Sequence, residues 1–208
     1  MSENTNTERR GGEDPAALWD RRYSQAPQPG APEPALVLAD NAHLLPARGR
    51  ALDLACGLGN NALFLAARGL ETHAWDISPV AIGRLREAAA ARGLAVHAEV
   101  CDVSAPGAPW PVSSGFAVIA VSRFLDRALA PRLAEALSPG GLLFYQTFTR
   151  DRVGEGGPGN PDYLLAENEL LRLFAGLTVR VYREEGRVGD LGRGLRSHAC
   201  LVGQKAAP

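Results

Sequence analysis

Residues 50–69 read RALDLACGLGNNALFLAARG, and the fold turns on this stretch. Ala51 to Ala55 is an apolar run of strand length, and Cys56-Gly57-Leu58-Gly59 carries the glycines of a tight turn. Asn60 or Asn61 is placed to cap the helix that follows, and Gly69 closes it. Strand, glycine loop and helix make the opening of a βα unit.

The same unit recurs downstream. Leu70 to Trp75 reads as a second strand closed by Asp76, and Ser78-Pro79 supplies the cap and first-turn proline of a helix that Gly93 ends. Leu94 to Cys101 is a third strand, followed by Asp102, and Phe116 to Val121 is a fourth. A helix near Arg132–Leu137 leads through the turn Ser138-Pro139-Gly140-Gly141 into the strand LLFYQTF. The Gly/Pro-rich loop from Arg150 to Pro161 precedes a helix at Glu167–Phe174 and two strands, Leu177–Arg183 and Arg196–Val202. Upstream, Asp14 and Pro15 start the helix PAALWDRRYSQ, in which Trp19 and Tyr23 share one packing face, and Glu33–Leu45 reads as a second helix.

Alternating βα units imply parallel strands with helices on both faces of the sheet. The expected architecture is one α/β domain with a seven-stranded, mostly parallel sheet and a C-terminal antiparallel hairpin. Residues 1–13 are polar and read as a disordered leader. Within the domain, 14–208, the divisions are a helical cap (14–48), a cofactor-binding core (49–149) and a lid loop, helix and closing hairpin (150–208).

Composition narrows the function. At 208 residues there is material for one α/β domain, too little for separate cofactor and substrate domains. The 22 basic and 23 acidic residues leave a net charge of -1, which argues against a nucleic-acid binder acting through a general basic field. Cys56, Cys101 and Cys200 are scattered without CxxC spacing, so no zinc site or disulfide framework is expected, and a cytoplasmic setting fits. No apolar stretch approaches the roughly 20 residues that span a bilayer, so no membrane partner is expected.

In an open parallel sheet, ligands bind at the carboxyl ends of the strands where the strand order reverses. Gly57 and Gly59 sit there, but they fit two cofactor classes, because GLGNNA also matches a dinucleotide fingerprint. Asp53, on the strand before the loop, discriminates: a carboxylate repels a diphosphate and attracts an ammonium or sulfonium group. At an effective dielectric of about 20, a charge pair 4 Å apart is worth roughly 4 kcal/mol before desolvation. Asp76 is placed to accept both hydroxyls of a ribose, and Asp102 to accept the exocyclic amine of an adenine. Three acids at three successive strand ends are more specific than the glycines alone.

DLACGLGN, WDIS and CDV resemble the cofactor motifs of class I S-adenosylmethionine-dependent methyltransferases, which have a Rossmann-like fold. With LWDRRYS and NELLRLFAGLTVRVYREEG added, the chain is similar to the bacterial tellurite-resistance methyltransferase family. It differs from that family at Asn60, where members often carry Arg, and in GRVGDLGRGLRSH, which lacks a His-Arg pair. The resemblance implies S-adenosyl-L-methionine as cofactor, held by Asp53, Ala55, Gly57, Gly59, Asn61, Asp76, Ile77, Asp102, Val103 and Val121. It also implies methyl transfer to a small soft nucleophile, a thiol-like or chalcogen oxyanion acceptor, by in-line displacement.

Such a nucleophile is already ionised near neutral pH, so no general base is assigned. Ser122, Arg123, Arg150 and Arg196 are the candidates for positioning the acceptor, as residues at or near strand ends. The loop 150–161 is expected to act as a lid. An NAD-dependent oxidoreductase and a non-catalytic S-adenosylmethionine-binding module remain as alternatives, and the sequence leaves the oligomeric state open.

Overall fold

The computed structural model describes residues 14–27, 33–105, 107, 110, 115–154 and 156–207. The expected leader lies outside them, as do residues 28–32 of the connector after the first helix and part of the loop before the fourth strand.

Seven strands form one sheet: β1 (Arg50–Leu54), β2 (Glu71–Asp76), β3 (Val96–Val100), β4 (Phe116–Ser122), β5 (Leu137–Phe148), β6 (Thr178–Glu184) and β7 (His198–Gln204). Their order is β3-β2-β1-β4-β5-β7-β6, parallel from β3 through β5, with β7 antiparallel to both β5 and β6. The chain leaves β1 toward β2 and β3, and β4 then returns to the other side of β1. That reversal opens a crevice at the carboxyl ends of β1 and β4.

Side-chain alternation sorts the strands into two faces. Leu52, Leu54, Ile119, Val121, Leu143 and Tyr145 join one core with α5 (Ala130–Ala136) and α6 (Glu169–Leu173). Ala51, Val118, Ala120, Leu142 and Phe144 join the other with α2 (Leu36–Asp40). Asp53, Ser122 and Gln146 continue this second face toward the strand ends. A third cluster packs α3 (Asn60–Ala66) and α4 (Pro79–Ala90) against β2 and β3 through Ala62, Leu63, Ile82, Leu85, Ala74 and Ala98.

Three local readings change. The expected helix at 33–45 is a single turn of α2 followed by a 3-10 turn at Ala42–Leu44. The turn 138–141 is absorbed into β5, where the register with β4 jumps from Leu137 to Leu142 and Gly140 takes φ +77°. Neither Asn60 nor Asn61 caps α3 from outside, because both are already helical and Gly59 precedes them at φ +78°.

The cap comes from the sheet instead. Asp53 Oδ2 accepts the Ala62 N–H at 3.0 Å, and Oδ1 accepts from Asn61 Nδ2 at 3.1 Å. A carboxylate at a helix start supplies the acceptor that the first turn lacks and opposes the dipole.

Asp53 is 1% exposed, and burial pushes its carboxyl up to about 7 against the opposing hydrogen bonds from Asn61 and Ala62. A folded-state value raised above the ordinary one of 3.8 means that the native protein holds a proton which the unfolded chain has released. The associated stability is complete below about pH 4 and is lost as pH rises through about 7. Asp53→Asn is expected to flatten this dependence. Urea unfolding of both proteins at pH 5 and pH 8 checks it: the wild type should lose more stability between the two values than the variant does.

Candidate functional site

The crevice is a cavity of about 800 Å³. Its floor is the loop after β1, where Ala55, Gly57 and Gly59 all have positive φ, at 53°, 53° and 78°. Only glycine fits the last two without strain. A Cβ on Gly57 would lie 2.8 Å from the Tyr23 hydroxyl, and one on Gly59 would overlap Leu85. The close approach therefore serves packing from both sides of the loop as well as any ligand.

Tyr23 belongs to α1 (Pro15–Gln25), which forms the roof of the crevice. Asp14 caps this helix by accepting the Ala16 N–H, as the sequence predicts. Two polar ties dock it on α4. Asp20 accepts from the Ser78 hydroxyl and from the Val80 N–H, and Arg84 donates to the carbonyls of Tyr23, Ala26 and Pro27. Trp19 and Tyr23 stack at 5.5 Å, and both line the cavity, so their shared face packs and encloses at once. Burial holds the Tyr23 phenol well above its ordinary pKa, which keeps it a neutral hydroxyl over the loop.

Asp76 ends β2 on the cavity wall. One carboxylate oxygen accepts the Gly57 N–H at 2.8 Å and the other the Ser78 N–H at 2.9 Å. Burial raises its pKa, and these two N–H groups oppose that rise. The Ile77 N–H also bonds to this carboxylate, and a carboxylate's roughly four lone-pair sites leave acceptor capacity toward the cavity. Ile77 and Val103 give apolar wall on either side of Asp102, whose Oδ1 accepts the Ser104 N–H at 3.0 Å. The opposite wall holds Ser122, Arg123, Gln146, Asp162 and Tyr163.

The sequence-derived candidates divide accordingly. Ala55, Gly57, Gly59, Asn61, Asp76, Ile77, Asp102, Val103, Ser122 and Arg123 all line the cavity. Asp53 and Val121 do not. Asp53 lies beneath the loop with its oxygens on Asn61 and Ala62, and Val121 points into the core on the other face of the sheet. Asp53 thus meets the cavity through Asn61, not directly.

Arg150 and Arg196 are also off the wall. Arg150 is exposed, and Arg196 is committed to the carbonyls of Arg193, Gly186 and Asp190 in the β6–β7 connection. In the loop expected as a lid, Val153 exchanges hydrogen bonds with the Ser197 hydroxyl, and Arg152 donates within the loop to Gly156 and Pro158. Just beyond it, Arg127 grips Glu169 and the carbonyls of Asp162 and Leu164, which brings Asp162 and Tyr163 to the cavity. Gln146, Tyr23, Phe124, Asp162 and Tyr163 are among the wall residues that the sequence did not mark as site candidates. Arg127 is not bound to a ligand in that reading either, and only its distance in sequence from Glu169 hides it.

A glycine loop at the switch point, an acid at the end of β2 and an apolar pair beside it form the kind of crevice in which α/β domains hold a nucleoside. Residues 51–141 match the family model of a methyltransferase domain. A protein solved in work on the conversion of a disulfide bond into a thioacetal group during echinomycin biosynthesis is 27% identical, with a TM-score of 0.65 over 92% of this chain and 93% of that one. TehB from Haemophilus influenzae is 21% identical, with a TM-score of 0.68 over 90% of this chain and 67% of that one, a likeness of fold. An S-adenosylmethionine-dependent methyltransferase from Methanosarcina mazei shares the fold at 21% identity and TM-score 0.61, over 81% of this chain and 98% of that one. Hemagglutinin 1 of Eikenella corrodens is 33% identical over 96 residues, 44% of this chain, and the chain spans about a third (32%) of its length.

The match over residues 51–141 is to a methyltransferase domain, which favours S-adenosylmethionine over a dinucleotide at the glycine loop. The residues present fit it. Asp76 would offer acceptors to the ribose, Ile77 and Val103 would give apolar surface to the purine, and Asp102, with Oδ2 unengaged among the described residues, would accept the adenine amine. Asp76→Ala is expected to weaken S-adenosylhomocysteine binding about 10- to 100-fold, the loss of one hydrogen bond to a charged group. Calorimetric titration checks this, with circular dichroism as the control for folding; unchanged affinity would contradict the ribose role.

Proposed function

We propose that the protein transfers a methyl group from S-adenosylmethionine to a small soft nucleophile, a thiol or a chalcogen oxyanion. The observation that carries this reading is the continuity of the cavity. One space runs from Asp76, Ile77, Asp102 and Val103 past the glycine loop to Ser122, Phe124, Arg127, Asp162 and Tyr163. A cofactor held at the first end would present its reactive group toward the second, where an acceptor can share the enclosure.

The cofactor supplies the activated methyl, so the protein has to orient the acceptor and exclude water. The roof helix, with Trp19 and Tyr23, and the wall segment pinned by Arg127 both limit solvent access. The acceptor's lone pair forms the new bond to carbon as the carbon–sulfur bond of the sulfonium breaks, its electron pair remaining on sulfur. An ionised thiol or oxyanion brings that lone pair without a proton to remove. Support for a sulfur or chalcogen acceptor comes from the relative tied to disulfide-to-thioacetal conversion, whose chain is covered almost in full.

Incubation with methyl-labelled S-adenosylmethionine and a panel of thiols, selenite, tellurite and small phenols tests the proposal. Label is expected on thiols or on the chalcogen oxyanions. Label confined to phenols, or no transfer to any member of the panel, would overturn it.

A further inference from the structure

The far end of the cavity carries side chains whose hydrogen-bonding polarity is locked from behind. Gln146 is 8% exposed and lies on the wall, and its Oε1 accepts the Val37 N–H of α2 at 2.9 Å. Only the carbonyl oxygen of the amide can accept from a backbone N–H, so the orientation of the group is fixed. Nε2 is left to face the cavity and has no partner among the described residues.

Ser122 is locked in the same way by a different neighbour. Asn61 accepts the Ala35 N–H on Oδ1 at 2.8 Å, which fixes its amide. Its Nδ2 then donates both to Asp53 and to Ser122 Oγ, each at 3.1 Å. With a lone pair of Oγ engaged, the Ser122 hydroxyl proton is turned elsewhere, and it finds no acceptor among the described residues.

The two donors are neighbours. Ser122 and Gln146 are register partners on β4 and β5, on the sheet face that carries Asp53, so their backbones lie about 5 Å apart. Arg123 follows at φ +54°, its N–H bonded to the Gln146 carbonyl at 2.9 Å, and it also lines the cavity. Carboxylates also line the cavity: Asp126 uses Oδ1 on the Ala128 N–H, and Asp162 and Glu33 lie on the wall as well, so the anion preference rests on the two donors and not on the net charge of the cavity.

We infer that Ser122 and Gln146 form a paired donor site that selects a methyl acceptor bearing an anionic group and rejects one bearing an ammonium. The inference deepens the proposed methyl transfer and rests on it for the identity of the ligand as an acceptor. A carboxylate or oxyanion offers lone pairs to both donors beside the Arg123 cation. An ammonium offers only hydrogens and leaves both donors unpaired, which is the more costly mismatch. Ser122 and Gln146 act here by binding and orienting the acceptor, with no proton transferred.

Two small thiols of opposite charge, thioglycolate and cysteamine, separate the outcomes. Each is titrated by calorimetry into the S-adenosylhomocysteine-loaded protein, and each is offered in turnover with S-adenosylmethionine. The wild type is expected to bind thioglycolate at least about tenfold more tightly than cysteamine, the worth of one hydrogen bond to a charged group. Gln146→Glu keeps the oxygen that holds Val37 and exchanges the donor for a negative oxygen, so it should abolish or reverse the ratio. Ser122→Ala buries no new charge and should lower the ratio several-fold, which keeps the test open if the glutamate variant fails to fold. Affinity for S-adenosylhomocysteine is the control in every variant.

Absent binding of thioglycolate, an equal ratio in the wild type, or a ratio that neither variant moves would overturn the inference. Tight thioglycolate binding without transfer to any thiol or chalcogen acceptor would leave the donor site standing and remove the proposed reaction. Transfer to cysteamine as fast as to thioglycolate would do the reverse.

Discussion

One carboxamide holds the crevice together. Asn61 sits in the first turn of α3 and bonds at once to Asp53 on β1, to Ser122 on β4 and to the Ala35 N–H at the start of α2. These segments meet nowhere else in the same way, and their junction is where the sheet reverses its strand order. The side chain is 5% exposed, with its oxygen and both amide hydrogens engaged. A buried amide left without partners costs about 1–3 kcal/mol per group, so the network has little freedom to rearrange. The fixed orientation passes outward: Asp53 sets Asn61, and Asn61 sets Ser122.

The role of Asp53 differs from a direct contact with a positively charged ligand. The carboxyl is dry, its pKa is raised by burial, and its oxygens cap α3. Asp76 and Asp102 do reach the cavity, and Asp76 also has a structural duty, since its hydrogen bonds shape the backbone at Gly57 and Ser78. Asp53 and Asp76 therefore both organise the loop. Charge and geometry act together at this turn, and a substitution at either position alters both.

Much of the fold is legible because its signals are local. The run from Ala51 to Ala55, the glycines at 57 and 59 and the Ser78-Pro79 start lie within a few residues of the structure they determine. The strand-end acids follow from the same pattern. Residues whose roles depend on distant partners are not legible in that way. Gln146 meets Val37 across 109 positions, Asn61 meets Ser122 across 61, and Arg84 reaches back 58 to close over α1. Arg196 shows the converse error: an arginine near a strand end reads as facing a ligand, but four loop carbonyls already claim it. Alternation along β1 places Asp53 on a face, though it does not say whether a ligand or a helix start lies above that face.

The most direct measurement is a crystal structure of the protein with S-adenosylhomocysteine bound. The ribose hydroxyls are expected on Asp76, the purine between Ile77 and Val103, and the sulfur directed toward Ser122 and Gln146. A ligand seated elsewhere, or one whose sulfur faces away from β4 and β5 with Asp76 unengaged, would contradict that placement.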